Sequence, residues 1–168
     1  GIPLVNPSHM INDKIVPDDR VTVSGEIAEQ LSSYRLAAGD IVMARRGEVG
    51  RAALVEVSQA GWLCGTGSFF LRFSSEVNRE YLLLTLRSSA MRSYLAGRAV
   101  GTTMVNLNHG ILKQAPLALP PLAEQHRIVT KVNELMALCD RLKANLATAR
   151  QRQATLADTL IAAALEAA

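Results

Sequence analysis

Arginines bracket one short glycine turn. Arg45 and Arg46 precede Gly47-Glu48-Val49-Gly50, and Arg51 follows it. A guanidinium is a planar fork of donors that matches both a guanine edge and phosphate oxygens, so this cluster on one hairpin is a candidate DNA contact. Read alone, it fits a solvated turn equally well. A second polar stretch, Thr102, Thr103, Asn106, Asn108 and His109, carries small side chains able to hydrogen-bond bases or phosphates. On chemistry alone it reads as an ordinary capped loop.

Other arrangements lack the partners their chemistry requires. Gly47-Glu48-Val49-Gly50 and Gly65-Thr66-Gly67-Ser68 are glycine pairs without the Lys-Ser/Thr and following helix of a phosphate loop. Strand-like residues follow both, so both read as hairpin turns. Asn6-Pro7-Ser8-His9 lacks the second proline and the aromatic of the Asn-Pro-Pro-aromatic motif of amino-methyltransferases. The histidines His9, His109 and His126 lie far apart, and no Cys/His/Asp cluster has metal-ligand spacing. With no Gly-x-Ser-x-Gly elbow either, an enzyme active site is not indicated.

In the segments that carry these side chains, the glycines and prolines all fall before Leu122. This composition shift divides the chain into a turn-rich globular domain, residues 1–120, and one helix, residues 121–168. In the first part, Ile2–Val5, Lys14–Val16, Arg20–Val23, Ile41–Ala44, Ala52–Val57, Trp62–Cys64 and Phe69–Leu71 read as strands. Ser24 caps a short helix through about Tyr34, and Ser74 or Ser75 caps another that contains Tyr81, Leu82 and Leu86. A further helix around Ala90–Ala96 ends at Gly97, and Asn108–Gln114 forms a helical turn. The fold class is α+β, a mixed α/β domain followed by one long α-helix that forms a coiled coil.

That helix has a heptad seam. Ile128, Leu135, Leu142, Ala149, Leu156 and Ala163 alternate with Val132, Cys139, Leu146, Gln153 and Leu160, only Gln153 being polar. At about 1.5 Å per residue it spans on the order of 60 Å, longer than a small domain's own core requires, so it is expected to pair with something.

The 168 residues carry a net charge of +3 and a pI near 9.1. The charge is uneven: residues 1–40 hold three basic side chains against six acidic ones, and residues 41–121 hold nine against four. A basic middle segment is compatible with nucleic acid. Cys64 and Cys139, isolated from one another, read as reduced, buried thiols of a cytoplasmic protein. No apolar run approaches the roughly 20 residues of a membrane span, and the start at Gly1-Ile2-Pro3 lacks a secretory signal and reads as a fragment or a processed chain.

From Pro116 to Val129 the chain runs Pro-Leu-Ala-Leu-Pro-Pro-Leu-Ala-Glu-Gln-His-Arg-Ile-Val, followed by Val132-Asn133-Glu134-Leu135-Met136-Ala137-Leu138-Cys139-Asp140. This closely resembles the specificity subunit of type I restriction-modification enzymes, at the junction where a target recognition domain passes into a long helix. Gly39-Asp40-Ile41-Val42 leading to Arg46–Arg51 is similar to the family's central hairpin, and Gly101–Asn108 to its loop before the junction.

The resemblance implies a non-catalytic subunit whose recognition domain reads one half of a split target in double-stranded DNA. Long paired helices then set the distance between halves and scaffold the methyltransferase (modification) subunits and a restriction subunit. No cofactor is expected on this chain; S-adenosylmethionine, ATP and Mg are expected only on the partners. A full family member carries two recognition domains and two such helices where this chain has one of each, so a homodimer through the C-terminal helix would restore that layout. The residues expected at DNA are Arg45, Arg46, Arg51, Thr102, Thr103, Asn106 and Asn108. The expected pairing seam is Ile128, Val132, Leu135, Cys139, Leu142, Leu146, Leu156 and Leu160. Two alternatives stand beside this: the recognition segment of a fused restriction-methyltransferase polypeptide, and a coiled-coil adaptor that binds no DNA.

Overall fold

The computed structural model describes residues 1–98 and 106–166, without the side chains of 160–164 and 166. Thr102 and Thr103 therefore lie outside the described residues. The chain forms two compact units, Gly1–His126 and Arg127–Ala168.

The first unit opens with β1 (Ile2–Val5), β2 (Met10–Ile11), β3 (Lys14–Ile15) and β4 (Thr22–Val23). Helix α1 (Gly25–Gln30) follows, then β5 (Ile41–Ala44), β6 (Ala52–Leu54), β7 (Leu63–Cys64) and β8 (Ser68–Leu71). Helices α2 (Arg79–Arg87), α3 (Ser89–Arg98) and α4 (His109–Lys113) complete it, and α5 (Leu122–Glu166) closes the chain. Mixed helix and strand followed by one long helix is the architecture expected from the sequence.

Strand β5 is the centre of the unit. It pairs antiparallel with β6 on one side, Met43 opposite Ala52, and with β8 on the other, Met43 opposite Phe69. Ile41 and Met43 enter one core, packed with Ala52, Phe69, Leu82, Leu86 and Leu95. Val42 and Ala44 enter a second core with Val5, Met10, Ile15, Ala53 and Cys64. The period-2 alternation of a strand thus supplies both cores at once, with helices over one face and N-terminal strands over the other. Beside this sheet, β1 pairs antiparallel with β4 and parallel with β7. Parallel pairing needs a long crossover, and here it is the whole stretch from β1 to β7.

Polar anchors fix the ends of β5. Asp40, only 2% exposed, accepts hydrogen bonds from the Ala37 amide at 2.7 Å and from Arg72 Nε and Nη2 at 2.8 and 2.6 Å. Beyond the other end, Gly47 and Gly50 take φ of 71° and 85°, the left-handed backbone that the turn into β6 requires.

Several boundaries differ from the sequence reading. Helix α2 is capped by Asn78, whose side chain accepts from the Tyr81 amide, and not by Ser74 or Ser75. The Arg79 guanidinium binds the carbonyls of Phe73 and Val77 at 2.7 and 3.2 Å, which keeps that approach out of the helix. Helix α1 ends at Gln30 and a 3-10 turn, Ser32–Tyr34, follows. Helix α3 continues through Gly97 to Arg98. Helix α5 starts right after Pro121, whose carbonyl accepts from the Glu124 and Gln125 amides. Gln125 is buried inside the first unit, accepting from the Asn78 amide at 2.9 Å and donating to the Pro120 carbonyl at 2.8 Å.

The cysteines part company. Cys64 is buried as expected, but Cys139 is exposed, because its heptad position faces no neighbour in the single chain. Burial, with the Asp40 carboxylate adding to it, pushes the Cys64 thiol up to about 12.

Asp40→Ala removes three hydrogen bonds from a buried carboxylate and should lower unfolding free energy by about 2–3 kcal/mol in a urea melt. Native protein should consume one equivalent of an alkylating reagent rapidly near pH 8, at Cys139, while Cys64 reacts only on unfolding; peptide mapping distinguishes the two.

Candidate nucleic-acid interface

Arg45 and Arg46 leave the end of β5 and are met by Asn106-Leu107. Arg46 forms an isolated antiparallel bridge with Asn106, and the Leu107 amide donates to the Arg45 carbonyl at 2.9 Å. This tertiary pairing, between segments about sixty residues apart, joins two of the polar stretches that the sequence singles out.

The arginines are used differently. Arg45 Nε donates to Asn106 Oδ1 at 3.1 Å, and its guanidinium carbon lies 4.9 Å from the Phe69 ring centroid. Phe69 in turn packs against His109, ring centroids 4.5 Å apart at 59°. Arg45 is thus a cation held in place by a side-chain hydrogen bond and an aromatic support. Arg46 is exposed, and among the described residues its side chain has no partner. Arg51 turns inward instead: Nη1 donates to the carbonyls of Pro7 and Met10 at 3.3 Å each, and the guanidinium pairs with Glu48. That hydrogen-bonded pair holds the Glu48 carboxyl below the usual carboxylate range. Arg51 therefore knits the turn to the N-terminal segment. Asn108 is likewise occupied, its Oδ1 accepting from the Ile111 amide at 2.9 Å to cap α4.

Arg45 and Arg46 stand over a cleft of about 590 Å³, whose other walls include Tyr34, Thr66, Ser68 and His109. Tyr34 is 52% exposed, and Thr66 and His109 are also exposed. Two cations, aromatic rings and small hydroxyls on one concave surface can attract phosphate and hydrogen-bond base edges. The sequence reading names His109 in the loop but leaves Tyr34, Thr66 and Ser68 out of the site. Nothing local marks Tyr34, which enters through folding alone. The glycines flanking Thr66 are a visible signal of a constrained turn.

The second unit is the rest of α5. Of the expected seam, Leu135, Leu142, Leu146 and Leu156 are 50–62% exposed, Cys139 is exposed, and Ile128 and Val132 are half-buried. The Leu160 side chain lies outside the described residues. Met136 and Leu138, 54% and 45% exposed, widen the apolar strip beyond a strict heptad.

Among the described residues no group of three or more His, Cys, Asp or Glu is placed to hold a metal ion. Nor is any described helix long and apolar enough to cross a membrane.

Known proteins resemble this chain in both sequence and structure. A family model described as the type I restriction modification DNA specificity domain matches residues 1–149. The type I restriction enzyme EcoEI specificity subunit of Escherichia coli is 32% identical over 138 residues, 79% of this chain and 23% of its own length. The EcoAI specificity subunit of the same species is 30% identical over 131 residues, 74% of this chain and 22% of its own. The chain thus spans under a quarter of the length of these relatives. The crystal structure of the HsdS subunit from Thermoanaerobacter tengcongensis superposes with a TM-score of 0.74 at 27% identity, over 92% of this chain and 40% of that one. With a family model covering most of its length, and relatives that agree in sequence and fold, the chain belongs to the type I restriction modification DNA specificity domain family.

Proposed function

We propose that this chain is a sequence-specific DNA-recognition module of a type I restriction-modification specificity subunit, acting in the cytoplasm and reading one half of a split duplex target. The observation that carries this reading is the cleft below Arg45 and Arg46, where a supported cation and an exposed one stand beside exposed hydrogen-bonding side chains. The nine-to-four excess of basic residues between 41 and 121 supplies the long-range attraction for phosphate. The relatives named above are specificity subunits, which favours this reading over a fused methyltransferase polypeptide or a DNA-independent adaptor.

In this reading the module itself is non-catalytic, and S-adenosylmethionine, ATP and Mg act on partner subunits. Asn106 is a positioning residue that holds Arg45; Arg46 makes contact directly; Arg51 and Asn108 act through the backbone they brace. The open strip of Leu135, Leu142, Leu146 and Leu156 receives a second long helix, from another recognition module or from a second copy of this chain, and forms the platform for modification and restriction subunits.

Mutations separate these roles. In the assembled methyltransferase complex, Arg46→Ala should weaken binding to all duplexes similarly and reduce the slope of log affinity against log salt by about 1. Arg51→Ala should leave that slope unchanged and cost about 1–2 kcal/mol of stability, read in a denaturant melt. Salt-independent failure of the wild-type complex to bind any duplex would overturn the DNA-reading proposal. Inserting seven residues after Arg141 lengthens α5 by about 10 Å, so the target halves should move apart by roughly three base pairs with their bases unchanged, as methylome sequencing would report.

A further inference from the structure

The turn between β7 and β8, Gly65-Thr66-Gly67, is held unusually tightly for a loop. A Cβ on Gly65 would lie 2.1 Å from Asn6 Oδ1 and 2.9 Å from the Val5 carbonyl oxygen. One on Gly67 would lie 2.9 Å from Pro7 Cδ. Such approaches admit only glycine, so the turn seats directly on the Asn6-Pro7 bend. Hydrogen bonds fix it from both sides: the Gly65 amide donates to the Val5 carbonyl at 2.9 Å, and the Gly67 carbonyl accepts from the Arg45 amide at 3.0 Å. A third closes the turn on itself, from the Ser68 amide to the Gly65 carbonyl at 3.0 Å.

All this clamping positions a residue that takes no part in it. Thr66 is exposed at the tip, and among the described residues its hydroxyl has no partner. It opens onto the same cleft as Arg46, Tyr34 and His109. Behind it Ser68, 6% exposed, also lines the cleft, and among the described residues its buried hydroxyl has no hydrogen-bond partner. A buried hydroxyl left unpaired costs free energy that a polar group or water reaching it would recover.

We propose that Thr66 is a specificity-determining residue, reading one base edge in the major groove from this pre-organised turn. This rests on the DNA-reading function proposed above and names which side chain discriminates. Threonine has both groups that such a contact needs. Its hydroxyl donates or accepts at a base edge, and its methyl packs on the thymine methyl. Arg46 beside it contacts phosphate, and Arg45, tied to Asn106 and Phe69, provides fixed charge. A rigid support matters because discrimination by one hydrogen bond is lost if the backbone can shift to rescue the wrong base.

The test is selection from randomised duplexes at fixed salt by the complete methyltransferase complex, comparing wild type with Thr66→Val and Thr66→Ala. The expected result is that one position of the half-site read by this chain loses roughly 10- to 100-fold of its base preference, the order carried by a single base contact. The remaining positions of that half-site, the salt slope and the melting temperature should not change. If wild type selects a defined half-site and both variants select it with equal strength at every position, Thr66 is only a turn residue and the inference is overturned. If wild type selects nothing, the DNA-reading function fails first, and the assignment of Thr66 with it.

Discussion

The first unit depends on one constraint: strand β5 is buried on both faces. All four residues, Ile41 to Ala44, are fully inaccessible, and they divide alternately between two apolar cores. A strand covered on both sides cannot shift by one residue without exchanging its two side-chain sets. Here that would drive Met43 into the space shaped for Val42. Register along β5 is therefore fixed by packing, and what leaves its ends is fixed too. At the start sits the Asp40 carboxylate with Arg72; at the end Arg45 and Arg46 emerge at the cleft. The position of the arginines is thus set by the same packing that stabilises the core.

Much of this is visible in the residues. Ile41-Val42-Met43-Ala44 between turn signals reads as a buried strand, and the glycines just beyond it read as a hairpin. The closing helix, free of glycine and proline, is equally plain. The start of α2 is not. Ser74 and Ser75 have good capping chemistry, but Arg79 reaches back to the Phe73 and Val77 carbonyls and moves the start to Asn78. A long side chain competing for backbone carbonyls leaves no periodic trace. The parallel pairing of β1 with β7 is equally hidden, since short strands far apart carry no mutual signal.

The site is legible by composition and not by assignment. Arg45, Arg46 and Arg51 look equivalent in sequence, yet Arg51 faces the carbonyls of Pro7 and Met10 while Arg46 faces outward. The pleat and the tight turn decide which, and local chemistry does not. Tyr34 and His109 join the cleft through a 3-10 turn and a capped helix of five residues, elements too short to predict as platforms. The apolar strip of α5 is the converse case. Its periodicity is plain, and the exposure of Leu135, Leu142, Leu146 and Leu156 in the single chain follows because a seam has no inside until a partner helix arrives.

The parallel ladder between β1 and β7 also sets an order of events during synthesis. Leu4 and Val5 pair with Leu63 and Cys64, so the first strand emerges long before its partner exists. Closing such a separation is entropically slow compared with forming the β5–β6 hairpin, whose ends are neighbours. The hairpin should nucleate early and the amino-terminal strand dock late, leaving β1 without its β7 neighbour on the nascent chain. The residues of β1, translated well ahead of β7, are then among the last of this unit to become native.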